Sequence, residues 1–173
     1  MTNTTGFICS CCDSQHPELP MHYSTTAPYV WDESLSGRTD SFLSSDQCVI
    51  QAQYYFVKGL VEIPVIGSDD VFSWAVWVSL SRGKFARAAN RWDTPGREAE
   101  EPYFGWLSTD LSLYSPNTIN LKTHVHTRPV GQRPLIELEP TNHPLAVEQR
   151  TGITLDRVRE IAAAVLHPAT DNA

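Results

Sequence analysis

The chain has 173 residues, enough for one domain with a real core and short for two. Its 41% hydrophobic and 19% charged content excludes a wholly disordered chain, and twelve Pro with nine Gly argue for many turns rather than a helical bundle. Thirteen basic against twenty acidic residues leave a formal −7, and the basic side chains are scattered from Lys58 to Arg133, so non-specific nucleic-acid binding is disfavoured.

The first residues, 1–6, lack a basic segment followed by an apolar stretch, so no secretory signal is expected. No run of about 18 apolar residues is present to span a membrane. Four cysteines without an export signal read as thiols or metal ligands, and the expected compartment is the cytoplasm. The organisation expected is a single domain over 1–173, in three zones. Residues 6–45 form an irregular Cys/His/Pro-rich segment, 46–140 a sheet with one helix, and 141–167 the C-terminal helices.

The first strong β signal runs over 48–66, rich in Val, Ile, Tyr and Phe; Gly59 suggests a bulge or turn within it and Pro64 the strand's end. Gly67-Ser68-Asp69-Asp70 is a turn cluster, making the next strand a hairpin partner. That strand covers 71–80, with Phe72, Trp74, Val76, Val78 and Leu80 on one face by period two and Ala75 and Trp77 on the other, so both faces are expected to be covered. Ser81 is an N-cap for a helix to about Trp92. Residues 93–102 read as a loop and 103–107 as a short strand whose glycine permits close backbone approach.

A strand over 118–128 alternates cleanly, Ile119, Leu121, Thr123, Val125 and Thr127 against Asn120, Lys122, His124, His126 and Arg128. Another follows at 135–138, between two prolines. Pro144 opens a short helix stopped by Gly152, and Thr154 caps the last helix, whose apolar stripe is Val158, Ile161, Ala162, Val165 and Leu166. Strands in the middle and helices at the close predict an α+β fold with a mainly antiparallel sheet, C-terminal helices and an irregular N-terminal cysteine-rich loop. The aromatic residues Trp74, Trp77, Trp92, Tyr103, Phe104 and Trp106 read as core.

Several strings resemble one bacterial family of uncharacterised proteins, the domain of unknown function 2199. They are Cys9-Ser10-Cys11-Cys12 with His16, Ser44-Ser45-Asp46-Gln47-Cys48, Gly59-Leu60-Val61-Glu62-Ile63-Pro64-Val65 and Trp74-Ala75-Val76-Trp77-Val78-Ser79-Leu80-Ser81. The match continues through Pro102-Tyr103-Phe104-Gly105-Trp106-Leu107-Ser108, Val125-His126-Thr127-Arg128-Pro129-Val130-Gly131, Glu137-Leu138-Glu139-Pro140 and His143-Pro144-Leu145-Ala146-Val147-Glu148-Gln149-Arg150. The resemblance implies no activity. It marks Cys9, Cys12 and His16 as a Cys-x-x-Cys with a following histidine, Asp13 standing where the pattern has glycine.

Two constellations carry chemistry. Cys9, Cys12, His16 and Cys48 are the expected metal ligands: a Cys-x-x-Cys turn aims two thiolates at one point, and zinc takes four N or S donors. Cys11 is the spare thiol and His22 an alternative nitrogen. A thiol-redox use of the same cysteines is disfavoured, because Pro17 and Pro20 leave no room for the helix that lowers a redox thiol's pKa. The second set is His126, Arg128, Glu139 and His143, with Lys122, His124, Glu137 and Glu148 nearby in sequence. A histidine beside an arginine and a carboxylate supports acid–base chemistry, whereas the same residues also make a solvated face with cross-strand pairs. Two functions are therefore expected to compete. One is a non-enzymatic binding or regulatory module, for a protein or small-molecule partner, with a structural zinc site. The other is a small hydrolase-like enzyme using His126, Arg128, Glu139 and His143.

Overall fold

The structure, a computed structural model, describes residues 7–8, 15–16 and 19–166. The ten strands are β1 (Phe7–Ile8), β2 (Gln15–His16), β3 (His22–Ser24), β4 (Phe42–Leu43), β5 (Gln47–Ile50), β6 (Tyr54–Pro64), β7 (Val71–Leu80), β8 (Tyr103–Leu107), β9 (Lys122–His126) and β10 (Leu135–Leu138). The helices are α1 (Arg82–Asn90), α2 (Pro144–Thr151) and α3 (Leu155–Leu166).

β6 and β7 form the central hairpin, in register from Tyr55 opposite Leu80 to Pro64 opposite Val71. The Gly67-Ser68-Asp69-Asp70 cluster makes the turn, as its composition predicts, with the Asp70 amide accepted by the Ser68 hydroxyl at 2.9 Å. Both strands are longer than any neighbour, so each is shared along its outer edge. β6 pairs β5 through its first residues and β10 at Leu60, while β7 pairs β3 at residues 73–75 and β8 at Val78 and Ser79. Since β8 pairs β9 and β9 pairs β10, strands β6 to β10 close into a five-stranded barrel. The expected mainly antiparallel α+β sheet is thus found in a closed form of mixed orientation, β10–β6 and β3–β7 being parallel.

Two glycines make the closure sterically possible. A Cβ on Gly59 would stand 2.5 Å from Ile136 Cδ1 and 2.8 Å from the Pro134 carbonyl oxygen, across the β6–β10 seam. A Cβ on Gly105 would run into Val78 and the Ser79 carbonyl oxygen across the β7–β8 seam. Gly59 is therefore a point of close approach rather than the bulge or turn its position suggests. β10 meets β6 at one register position, and the Gln149 side chain of α2 supplies what the ladder lacks: its amide donates to the Ile136 carbonyl at 2.8 Å and accepts the Leu138 N–H at 2.8 Å.

The inward face carries Val61, Ile63, Phe72, Trp74, Val76, Val78, Leu107, Val125 and Ile136, all buried, and Val158 and Ile161 of α3 join the same cluster. Val165 and Leu166 depart from the predicted stripe and are 38% and 43% exposed, both lying in the last turn of α3. A second, smaller cluster of Leu35, Cys48, Ile50, Phe56 and Trp77 covers the other face of β5–β7, as the double-sided pattern of 71–80 predicts.

Other expectations need correction. The β stretch expected over 48–66 is broken at residues 51–53, where Gln51 and Ala52 turn with φ of 52° and 50°, a conformation for which neither residue type is a signal. The strand expected over 118–128 is regular only for Lys122–His126, since Asn120 is left-handed at φ 63° and residues after His126 leave the ladder. α1 ends at Asn90 rather than Trp92, its Ser81 cap accepting the Lys84 N–H at 3.3 Å. The segment 6–45, expected to be irregular, contributes β3 and β4 to the large sheet; strands of two or three residues are too short to show a period. Of the aromatics expected in the core, Trp74, Trp77 and Tyr103 are buried, whereas Trp92, Phe104 and Trp106 are 38%, 42% and 41% exposed. Phe104 and Trp106 alternate with buried neighbours on β8 and so face outward. No described helix is long and apolar enough to cross a membrane.

Candidate functional site

The alternation along β9 turns Thr123 and Val125 inward and leaves Lys122, His124 and His126 on the outer face. Antiparallel pairing sets Glu137 of β10 opposite His124 and Leu135 opposite His126. The side chains meet on the diagonal. His124 Nε2 lies 3.1 Å from Glu139 Oε1, and His126 Nε2 lies 3.4 Å from Glu137 Oε1. The four groups form a ladder of two histidine–carboxylate pairs, each partly open to solvent.

Arg128 lies just past the strand and meets a third carboxylate. Its Nη1 donates to Glu62 Oε1 at 2.8 Å and its Nε to the Arg133 carbonyl at 2.8 Å, while Nη2 is buried with no partner among the described residues. The carbonyl of Arg128 is itself held by Arg97, whose guanidinium also donates to the carbonyls of Trp92, Pro129 and Gln132 at 2.8–3.1 Å. Arg97 is buried and sits 5.6 Å from the Trp92 ring centroid. It fixes the loop after β9 and so positions Arg128. Nothing in the sequence singles it out from the scattered basic residues, because its partners are main-chain oxygens.

His143 and Glu148 are engaged elsewhere. His143 Nδ1 accepts the Leu145 N–H at 3.1 Å as the N-cap of α2, and its Nε2 lies 2.8 Å from the Pro116 carbonyl, which assigns that nitrogen the proton. Glu148 accepts the Tyr114 hydroxyl at 2.7 Å and the Arg157 Nε–H at 2.8 Å, and Trp74 Nε1 donates to the Tyr114 oxygen at 3.2 Å. Burial, and then the Glu148 carboxylate, raise the Tyr114 phenol well above its ordinary range. The structure thus brings His126, Arg128, Glu137 and Glu139 to one region of the β9–β10 seam and sends His143 and Glu148 to helix capping and core support.

Of the four expected metal ligands, Cys9 and Cys12 lie outside the described residues, and His16 is described only as the strand partner of Phe7. Cys48 is on β5, fully buried among Leu35, Ile50, Phe56 and Trp77, and this burial pushes its thiol up to about 12. An uncompensated thiolate is costly there, so a metal on Cys48 would have to supply the compensating charge. Among the described residues there is no group of three or more His, Cys, Asp or Glu side chains arranged to hold an ion. His22, the alternative nitrogen, has its Nδ1 2.7 Å from the Ser73 hydroxyl.

Fold and seam together define an α+β protein built on a small closed barrel, with paired histidines and carboxylates on its outer wall. The chain belongs to a family described as an uncharacterized protein conserved in bacteria (DUF2199), whose model matches residues 8–153. No curated protein and no solved structure matches the chain.

Proposed function

We propose that this protein is a non-enzymatic binding or regulatory module of the cytoplasm, its N-terminal segment fixed by a structural zinc on Cys9, Cys12, His16 and Cys48. One observation carries the non-enzymatic reading: each imidazole of the seam is already matched to a carboxylate on an open strand face, and His143 has both ring nitrogens occupied. A general base works beside a reacting atom in a water-excluded site; the carboxylates engage only Nε2 of each seam imidazole, but the open strand face excludes no water. Cys48, buried with its thiol raised, is no nucleophile. The zinc reading rests on the Cys-x-x-Cys spacing, the following histidine and a third thiol held rigidly at the start of β5. The competing use of His126, Arg128, Glu139 and His143 in a hydrolase-like reaction draws on the unpartnered Nη2 of Arg128.

Elemental mass spectrometry on protein purified without a histidine tag tests the zinc. One zinc per chain is expected, lost in Cys9→Ser and Cys48→Ser. Full occupancy in Cys48→Ser would remove that residue from the ligand set, and a metal-free wild type would remove the site. Turnover of generic ester and phosphoester substrates is expected at buffer background; hydrolysis that disappears in His126→Gln would make the protein an enzyme.

A further inference from the structure

Away from the histidine seam, a cleft of about 570 Å³ opens between the segment before the first 3₁₀ turn (Glu33–Leu35), the β5–β6 turn and the end of β7. Its size falls within the range of about 300–1,000 Å³ typical of small-molecule sites. Three apolar side chains on its walls stand in solvent: Tyr29 is 52%, Val30 42% and Tyr54 55% exposed. Such residues gathered in one concavity leave apolar surface unpartnered where burial would be favourable. Ser79, also on the wall, pairs across to Trp106, so the exposed aromatic surface continues onto β8.

Buried Leu35, Ile50 and Phe56 also line it, and the rest of the lining is polar and nearly uncharged. Gln51 and Asn120 present amides and Ser34 a hydroxyl, the Ser79 and Ser108 hydroxyls donate to the Trp106 carbonyl at 3.4 and 3.1 Å and can still accept, and Asp32 is the one charged lining group among the described residues. Hydrogen bonds from Ser34 hold the Asp32 carboxyl below its ordinary range, so it stays an acceptor. Gln51 and Asn120 also hold left-handed backbone, and with Ala52 they are the three non-glycine residues of that kind among those described. Strained positions of this sort persist where the surrounding structure fixes them, and they gather at ligand sites. Here the Gln51 N–H is held by the Ser41 hydroxyl at 2.8 Å and the Ala52 N–H by the Asp40 carbonyl at 2.8 Å.

The ligand class follows from what the cleft lacks. Without a lysine, arginine or histidine on its described walls it offers no counter-charge to phosphate or carboxylate, and the net −7 of the chain repels both. The bordering strands β5, β6 and β7 have neighbours on both edges, so no free main chain is available to pair with an extended peptide. Recognition is left to tyrosine faces, amides, hydroxyls and one carboxylate. These match an uncharged ring with an apolar face and a rim of hydroxyl groups.

We infer that the Tyr29–Tyr54 cleft is a binding site for a neutral saccharide. The inference rests on the binding-module reading and names the surface that binds. Ligand-detected NMR and calorimetry on the full chain, with maltotriose, cellotriose and triacetylchitotriose as probes and inorganic phosphate as the anionic control, test it. At least one sugar is expected to bind, with affinity falling about tenfold or more in Tyr54→Ala or Tyr29→Ala, and phosphate is expected not to compete. Both tyrosines are exposed, and circular dichroism checks that the variants keep the fold. Absence of binding by all three sugars, equal affinity in both variants, or displacement by phosphate would overturn the cleft assignment. Chromatography of the recovered sugar separates the two readings: intact sugar agrees with a module, whereas cleaved sugar keeps the cleft and overturns the non-enzymatic reading.

Discussion

Two parts of this molecule are made of nearly the same chemistry and do opposite things. Between β7, α2 and α3, Trp74, Tyr114, Glu148 and Arg157 form a chain of hydrogen bonds of 2.7–3.2 Å with the Tyr114 phenol buried. On the β9–β10 seam, His124, His126, Glu137 and Glu139 pair at 3.1 and 3.4 Å in contact with water. Aromatic or heteroaromatic groups and carboxylates appear in both. Burial makes the first a fastener, because each group there would be left unsatisfied if its partner were removed. In the second, water replaces any partner that is lost.

The sharpest way to break the comparison is Glu148→Ala. It strips the acceptor from the Tyr114 hydroxyl and from Arg157, whose guanidinium also sits 5.6 Å from the Tyr114 ring. A loss of about 2–3 kcal/mol in urea-unfolding stability is expected, the cost of unpaired, largely buried donors. Glu148→Gln, which keeps an acceptor, is expected to lose less. If Glu148→Ala unfolds like the wild type, the network is not a fastener.

The same network has a pH signature. Burial, and then the adjacent carboxylate, raise the Tyr114 phenol above its unfolded value of about 10. A group whose folded pKa is raised contributes stability that is complete below the unfolded value and is lost as pH rises through the folded one. Stability of the wild type is therefore expected to decline above about pH 10 more steeply than that of Tyr114→Phe, which cannot ionise there. Parallel pH profiles in unfolding titrations would refute the contribution of this phenol.

How far the sequence reaches can be judged from the same two regions. The seam was readable: strict alternation in 122–126 puts both histidines outward, and Glu137 and Glu139 follow two apart, on and just past the next strand. Which histidine meets which glutamate follows from the register, which the alternation leaves open. The buried network was not readable, since Tyr114 lies in an irregular segment and its partners come from three separate elements. Barrel closure escaped for a related reason: Gly59 and Gly105 mark close approach, and a single sequence does not say to what. Arg97 bonds only to carbonyl oxygens, which no side-chain pattern records. The strands at 71–80, 103–107 and 135–138 match their predicted bounds because each is ended by a turn cluster, a cap or a proline.

The smallest effect is expected on the seam itself, and it is the one that sharpens the contrast most. A double-mutant cycle on His126→Gln and Glu137→Gln isolates their coupling from the rest of the fold. The imidazole and carboxylate side chains are 36% and 58% exposed, and their contact is long at 3.4 Å. Exposed pairs of this kind couple by about 0.2–1 kcal/mol, and the geometry puts this one at the low end. The cycle is therefore expected to give a coupling that shrinks in high salt and stays below the single-substitution cost of Glu148→Ala. A coupling that is large and insensitive to salt would mean the seam is desolvated in solution. The two regions would then belong to one class, and the enzymatic reading of His126 would recover its footing.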